Sequence, residues 1–265
     1  MRLFEALVAE VERERNGVVE RLLLGWHGAA VVLDDGRAGF ARVPLPGTGP
    51  RESHRGHTAA LLGGSAHDLV RLLVSPYPQE FSLAGAAAEA LLPPPPGPGP
   101  EALRLLVRDG RASVVGYDPD LVLLFRSWRW DLSIFDDVRR APDVYPSWTE
   151  GHLLQGAPWV FLSSEALRDR RVLSLAPHFR KSEGTVLVGP GLPWTPRHYR
   201  ELGISHLLSP RLVGTSDEAA SFLGAGGGFW ECPALEWQLT AIPLTETVAT
   251  DGKGVTDRWT GSLFG

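Results

Sequence analysis

The sequence predicts an α/β chain in two parts: a small α+β part, then a larger part with a mainly parallel sheet covered by helices. Three observations carry this. Residues 93–100 read PPPPGPGP, which can neither continue a helix nor pair along a strand, and so predict a stiff, exposed linker. Before it the apolar pattern runs helix, strands, helices, an α+β order. After it short apolar runs alternate with helix-length segments, the pattern of a parallel sheet buried on both faces. The expected divisions are residues 1–92, the linker 93–100, residues 101–240 and a C-terminal extension 241–265.

In the opening MRLFEALVAEVERERNG, Leu3, Leu7, Val8 and Val11 share one helical face among charges, and Gly17 ends the helix. VVERLLLGW, AAVVL and AGFARV predict three short antiparallel strands, with Asp35-Gly36 as the hairpin turn between the last two. PLPGTGPRESHRGHTAALLGG reads as a long loop. Ser65 is placed to cap a helix SAHDLVRLLV, with Asp68 as a weaker capping-box acid, and the alanine-rich EFSLAGAAAEALL predicts a closely packed helix.

Beyond the linker, ASVVG precedes DPDLVLLFRSW, DLSIFD precedes a loop and SWTEGHLL, and PWVFLSS precedes EALRDRRVLSLAPHF. TVLVG then precedes TPRHYRELG, and SHLLSP precedes SDEAASFLG. The alternation predicts a Rossmann-like sheet. From about Thr240 the chain reads either as an extra strand pair or as a loose tail.

Composition narrows function. The 265 residues are 43% hydrophobic and 22% charged, with 26 Lys+Arg against 31 Asp+Glu and a net charge of -5. No basic stripe is present to recruit nucleic acid. No run of 18 apolar residues predicts a membrane span, and the amphipathic start lacks a signal-peptide core, so a cytoplasmic protein is expected. The one cysteine, Cys232, excludes an internal disulfide and a thiolate-rich metal site.

In an open parallel sheet ligands bind beyond the carboxyl ends of the strands. Those ends carry Gly116-Tyr117-Asp118, Asp136-Asp137, Ser163-Ser164-Glu165, Gly189-Pro190-Gly191 and Ser209-Pro210. The dinucleotide fingerprint is absent, since SVVG is followed by YDPDLVLL with no second or third glycine, and NAD is disfavoured. Asp136 nevertheless stands where a ribose-binding acid would sit, although Asp at a strand end also serves turns. His54 and His57, three apart in SHRGH with Glu52 and His67 in the neighbourhood, offer ligands for a divalent or heavy metal ion; the alternative is a solvated loop. No G-x-S-x-G elbow marks a nucleophile, and Ser163 or Ser164 also suits a helix cap. The tryptophans lie beside apolar segments and read as packing.

The order of these pieces resembles the putative heavy-metal chelation family of prokaryotic proteins. In that family an enolase-N-terminal-like domain precedes an atypical Rossmann-like domain. GWHGAAVVLDDGRAGFARVP resembles the family's strand pair, and HTAALLGGSAHDLVRLLVSPYPQEFSLAGAAAEALL its glycine-serine helix start followed by I-G-x-A-A-x-N-A, with Glu89 at the position of that Asn. VVGYDPDLV is similar to the turn after the linker. YPSWTEGHLLQGAPWVFLSSEAL is similar to a segment ending T-G-T-T, and VLVGPGLPWTPRHYRELGISHLLSPRLV to V-x-x-G-P-S-T-P. Two departures bear on activity: Ser163-Ser164-Glu165 replaces most of the T-G-T-T hydroxyls, and Gly191-Leu192 replaces Ser-Thr.

The resemblance implies a protein that binds a small polar or metal-bearing ligand in the cleft between its two domains, in metal homeostasis. The expected contacts are Gly116, Asp118 and Asp136, the hydroxyls of Ser163 and Ser164, the backbone at Gly189, Pro190 and Gly191, and Glu89. Two other readings stay open: an enzyme using a nucleotide-like cofactor such as S-adenosylmethionine, with Asp136 on the ribose, and a non-catalytic partner or scaffold. The oligomeric state is open, and a homo-oligomer is compatible with the sequence.

Overall fold

The computed structural model describes residues 2–44, 59–137 and 143–243. His54, His57 and Glu52 lie outside the described residues, as does all of the C-terminal extension beyond residue 243.

Helix α1 (Arg2–Val11) buries Phe4, Leu7 and Val11; of the predicted face Leu7 and Val11 are buried, Leu3 and Val8 are half-buried, and Phe4 is added to it. The strands β1 (Val19–Leu24), β2 (Gly28–Leu33) and β3 (Ala38–Arg42) form an antiparallel sheet in that order. The predicted Asp35-Gly36 turn joins β2 to β3, and Gly36 takes the left-handed conformation it requires. Ser65 stands at the N-cap of α2 (Ala66–Val70) but makes no side-chain cap bond, and the predicted helix tightens after Val70 into a 3-10 turn, Arg71–Val74.

Helix α3 (Pro78–Leu91) is buried along its whole length from Phe81 to Leu91, as expected of a helix apolar on every side. It lies flush against β3 because Gly39 has no side chain: a Cβ there would overlap the Ala86 carbonyl oxygen and stand 2.6 Å from the Ala90 nitrogen. That contact fixes the height at which Glu89 leaves the helix.

The PPPPGPGP stretch is not a detached linker. Pro98 accepts a 2.7 Å hydrogen bond from the Leu239 N–H, Gly97 N–H donates to Gln238 Oε1 at 3.2 Å, and Pro95 accepts from Thr240 Oγ1 at 2.9 Å. Residues without N–H groups can still accept, so the segment covers a sheet edge. A short helix α4 (Leu103–Leu106) follows.

The large sheet contains β4 (Arg111–Val115), β5 (Asp131–Phe135), β6 (Val144–Tyr145), β7 (Trp159–Ser163), β8 (Gly184–Val188), β9 (His206–Leu212) and β10 (Leu235–Ala241). Their spatial order is β10-β9-β8-β7-β4-β5-β6; β10 pairs antiparallel with β9 and all other pairs are parallel. The chain runs outward from β4 to β6, then returns to β7 on the other side, so the order reverses between β4 and β7. That is the doubly wound order whose reversal point opens a crevice.

The connecting helices are α5 (Pro119–Ser127), α6 (Glu150–Leu153), α7 (Ser164–Arg168), α8 (Arg171–Phe179), α9 (Pro196–Leu202) and α10 (Ser216–Gly224). The single helix expected over EALRDRRVLSLAPHF is two, because Arg170 adopts a left-handed φ of 61° that breaks the ladder. The strands β6 and β10 are additions to the expected set; β10 ends at Ala241, and the segment whose reading the sequence left open lies outside the described residues beyond residue 243.

Both hydrophobic clusters draw on the two parts of the chain: one joins Phe4, Leu83 and Ala87 to Val115, Leu162 and Leu187, the other joins Ala30 and Phe40 to Val114, Phe161 and Leu208. No described helix is long and apolar enough to cross a membrane.

Candidate functional site

At the reversal point the carboxyl ends of β4, β5 and β7 enclose a cavity of about 190 Å³. Gly116, Asp136 and Ser163, all predicted site residues, line it together with Asp137, Glu165, Arg168 and Arg171. Gly116 leaves β4 close beneath Ser163, where an added Cβ would be 2.8 Å from the Ser163 Cβ. Asp136 is oriented from behind, since its Oδ2 accepts a 3.0 Å hydrogen bond from the Tyr117 N–H. Asp137 accepts from the Ser147 N–H at 2.9 Å. Ser163 caps α7, accepting from the Glu165 N–H at 3.3 Å. On the α8 side, Arg171 is paired with Glu150, a carboxylate only 4% exposed.

Glu165 and Arg168 also line a narrow crevice of about 20 Å³ between the two parts of the chain. Ser164, Pro190 and Gly191 form one wall of that crevice, and Arg42, Ser82 and Gly85 the other. Gly189 is obligatory at the turn leaving β8: its φ is 136°, and a Cβ would stand 2.9 Å from the Ser164 Cβ. Six of the nine predicted contacts thus gather around two adjoining spaces.

Asp118, Glu89 and the backbone of Gly191 do something else. Asp118 is the N-cap of α5, accepting from the Asp120 and Leu121 N–H groups at 3.1 and 3.2 Å. It also pairs with Arg42 and accepts from Trp230 Nε1 at 3.2 Å. Buried among four donors, it is a joint between β3, α5 and the segment before β10, where the sequence reading placed a ligand contact.

Glu89 closes the other joint. Its Oε2 accepts from the Gly191 N–H and, at 3.3 Å, from the Leu192 N–H. The loop's N–H groups, expected to meet a ligand, are therefore taken by a carboxyl oxygen of the same chain. Burial pushes the Glu89 carboxyl up to about 8, against the smaller opposing effect of these two hydrogen bonds.

Among the described residues, no group of three or more His, Cys, Asp and Glu side chains converges to hold a metal ion. The cavity's carboxylates are distributed around it instead of meeting at one point. Cys232 is buried in the core that also holds Phe161 and Trp237. The described residues do not fit a resident metal.

Residues 101–235 match the family model DUF364 and residues 6–92 match DUF4213, both described as "Putative heavy-metal chelation". The chain belongs to this family. Two solved structures of DUF364 proteins of unknown function share its fold. One, from Pyrococcus horikoshii, is 16% identical with a TM-score of 0.71; the other, from Desulfitobacterium hafniense, is 20% identical with a TM-score of 0.70. Each alignment covers 91% of this chain and 98% of the other. No curated protein matches it.

Arg42, Arg168 and the Arg171–Glu150 pair had no signal in the sequence. An arginine at a strand end or within a run such as EALRDRR has the pattern of a solvated surface, and only the fold turns these inward.

Proposed function

We propose that this family member binds a small polar or metal-bearing ligand in the cavity at the carboxyl ends of β4, β5 and β7, with the crevice between the two parts of the chain as its inner arm. The observation that carries the reading is the meeting, at the strand-order reversal, of Gly116, Asp136 and Ser163 around about 190 Å³ of open space. The two flanking parts, residues 1–92 and 101–240, serve as domains that share this seam. Ser163 supplies a hydroxyl, and Asp136 a carboxylate held in place by the Tyr117 N–H. Metal, where the ligand carries it, is cargo held by the ligand's own donors.

The volume favours a ligand smaller than a nucleotide cofactor, since pockets that enclose drug-sized molecules hold roughly 300 Å³ or more. A nucleoside reading keeps one point in its favour, the carboxylate of Asp136 at the end of the strand next to β4. Differential scanning fluorimetry separates these readings, using polar metabolites, adenosine compounds and metal complexes with wild type and Asp136→Ala. A stabilisation by small polar compounds that Asp136→Ala removes is expected. If no compound raises the melting temperature, or if Asp136→Ala responds as wild type does, the proposal fails.

A further inference from the structure

Two arginines, one from each part of the chain, line the crevice, and each carries a buried donor that no hydrogen bond satisfies. The Arg168 side chain is only 10% exposed; its Nε donates to Asp169 Oδ1 at 2.9 Å, but its Nη1 lies 3.6 Å from Glu165 Oε1, beyond hydrogen-bond length. Among the described residues Arg168 Nη1 is buried without a hydrogen-bond partner, and so is Arg42 Nε, whose Nη2 is bonded to Asp118. Leaving such a donor unmet is costly, and buried polar groups in folded proteins are nearly always satisfied. Two of them lining one crevice at a proposed ligand cavity therefore point to a partner that both can reach.

That partner's chemistry follows from the donors. Planar guanidinium groups match the oxygens of carboxylate and phosphate. The crevice, at about 20 Å³, has room for little more than one anionic oxygen; the adjoining cavity takes the rest of the head group and the body. Acids face both arginines, Glu165 and Asp169 at Arg168 and Asp118 at Arg42. Asp118 is buried and committed, whereas Glu165 is 36% exposed and, among the described residues, its side chain is held by one long ion pair, so an incoming anion displaces Glu165. Asp137 and Ser163, which line the cavity, offer oxygens that accept from hydroxyls.

We infer that the site takes a ligand with one anionic end, a carboxylate or phosphate bound by Arg168 and Arg42, and a hydroxyl-bearing body in the cavity. The inference rests on the cavity reading above and names its ligand class as hydroxycarboxylates or phosphorylated polyols. Calorimetric titration of the full chain with glycerol, glycerate and glycerol phosphate varies the head group on one body and separates the two anions. At least one anion is expected to bind saturably and at least about tenfold more tightly than glycerol, with Arg168→Gln removing that advantage.

Arg168→Lys keeps the charge but not the planar fork, and is expected to lose affinity several-fold; it stands in if Arg168→Gln does not fold. Anions that bind no better than glycerol, or variants that bind as wild type, overturn the inference, and the crevice donors are then satisfied by water. If none of the three compounds binds while other polar compounds stabilise the protein through Asp136, the anion inference fails and the cavity reading stands. If neither occurs, both fail.

Discussion

Replacing Glu89 with glutamine should abolish a pH-dependent loss of stability. The carboxyl is 4% exposed, and burial raises it from its ordinary 4.5 to about 8. Below pH 4.5 it is protonated in both folded and unfolded chains and contributes no pH dependence. Between 4.5 and 8 the unfolded chain releases the proton while the folded chain keeps it, so stability falls by about 1.4 kcal/mol per pH unit. Above 8 both are ionised and the deficit levels off at about 5 kcal/mol.

Glutamine is nearly isosteric, and its carbonyl oxygen can accept from the Gly191 and Leu192 N–H groups. Its amide can be hydrated from the cavity of about 200 Å³ that Glu89 shares with Arg211 and Gln238. The assay is urea unfolding of wild type and Glu89→Gln at pH 5, 6, 7 and 8, read as the difference between them so that other titrating groups cancel. The variant should gain about 4 kcal/mol on wild type across that range. A difference that does not change with pH would refute the reasoning, because it would mean that two backbone donors suffice to keep the buried carboxylate ionised.

Three further outcomes are expected. Asp118→Ala, which removes a helix cap and strands Arg42, should destabilise the fold by about 3 kcal/mol more than Asp136→Ala in chemical denaturation. Gly189→Ala should lower the melting temperature by several degrees, since its φ of 136° and the Ser164 side chain both oppose a Cβ, and Gly226→Ala, also at positive φ but in open space, should cost less. Cys232, 2% exposed, should react with a thiol reagent only at the rate at which the protein unfolds.

The elements of this fold were legible where burial and periodicity agree. Continuous apolar runs such as TVLV and WVFL become the central strands β8 and β7, and the alanine-rich run becomes the fully buried α3. Legibility failed where a tertiary contact decides. LEWQLTA alternates well enough for a strand, but its neighbours in sequence gave no partner; β10 exists because β9 and the proline segment flank it. Arg170 breaks a helix that propensity alone would continue. Position relative to strand ends foresaw that Gly116, Asp136 and Ser163 come together at one cavity, because topology dictates where those ends meet. It gave no sign that Arg42 and Arg168 line the neighbouring crevice, nor that Asp118 and Glu89 bond across the seam.

That last point changes how the Gly189-Pro190-Gly191 turn should be understood. The resemblance set Ser-Thr at the turn and Asn on the facing helix; this chain has Gly191-Leu192 and Glu89. The two positions meet in the structure: Leu192 is fully buried, and Glu89 Oε2 accepts from the Gly191 and Leu192 N–H groups. A turn whose donors are already satisfied by a buried acid cannot also grip an anion, so any charge recognition must come from other residues lining the crevice. Arg42, across from the turn, and Arg168, at the end of α7 on the turn's own side, are the cations there, and the division of labour can be tested. Glu89→Gln should alter stability and its pH dependence while leaving ligand affinity within about threefold, whereas Arg168→Gln should do the reverse. A large loss of affinity in Glu89→Gln, with the fold intact, would return the turn to the ligand site.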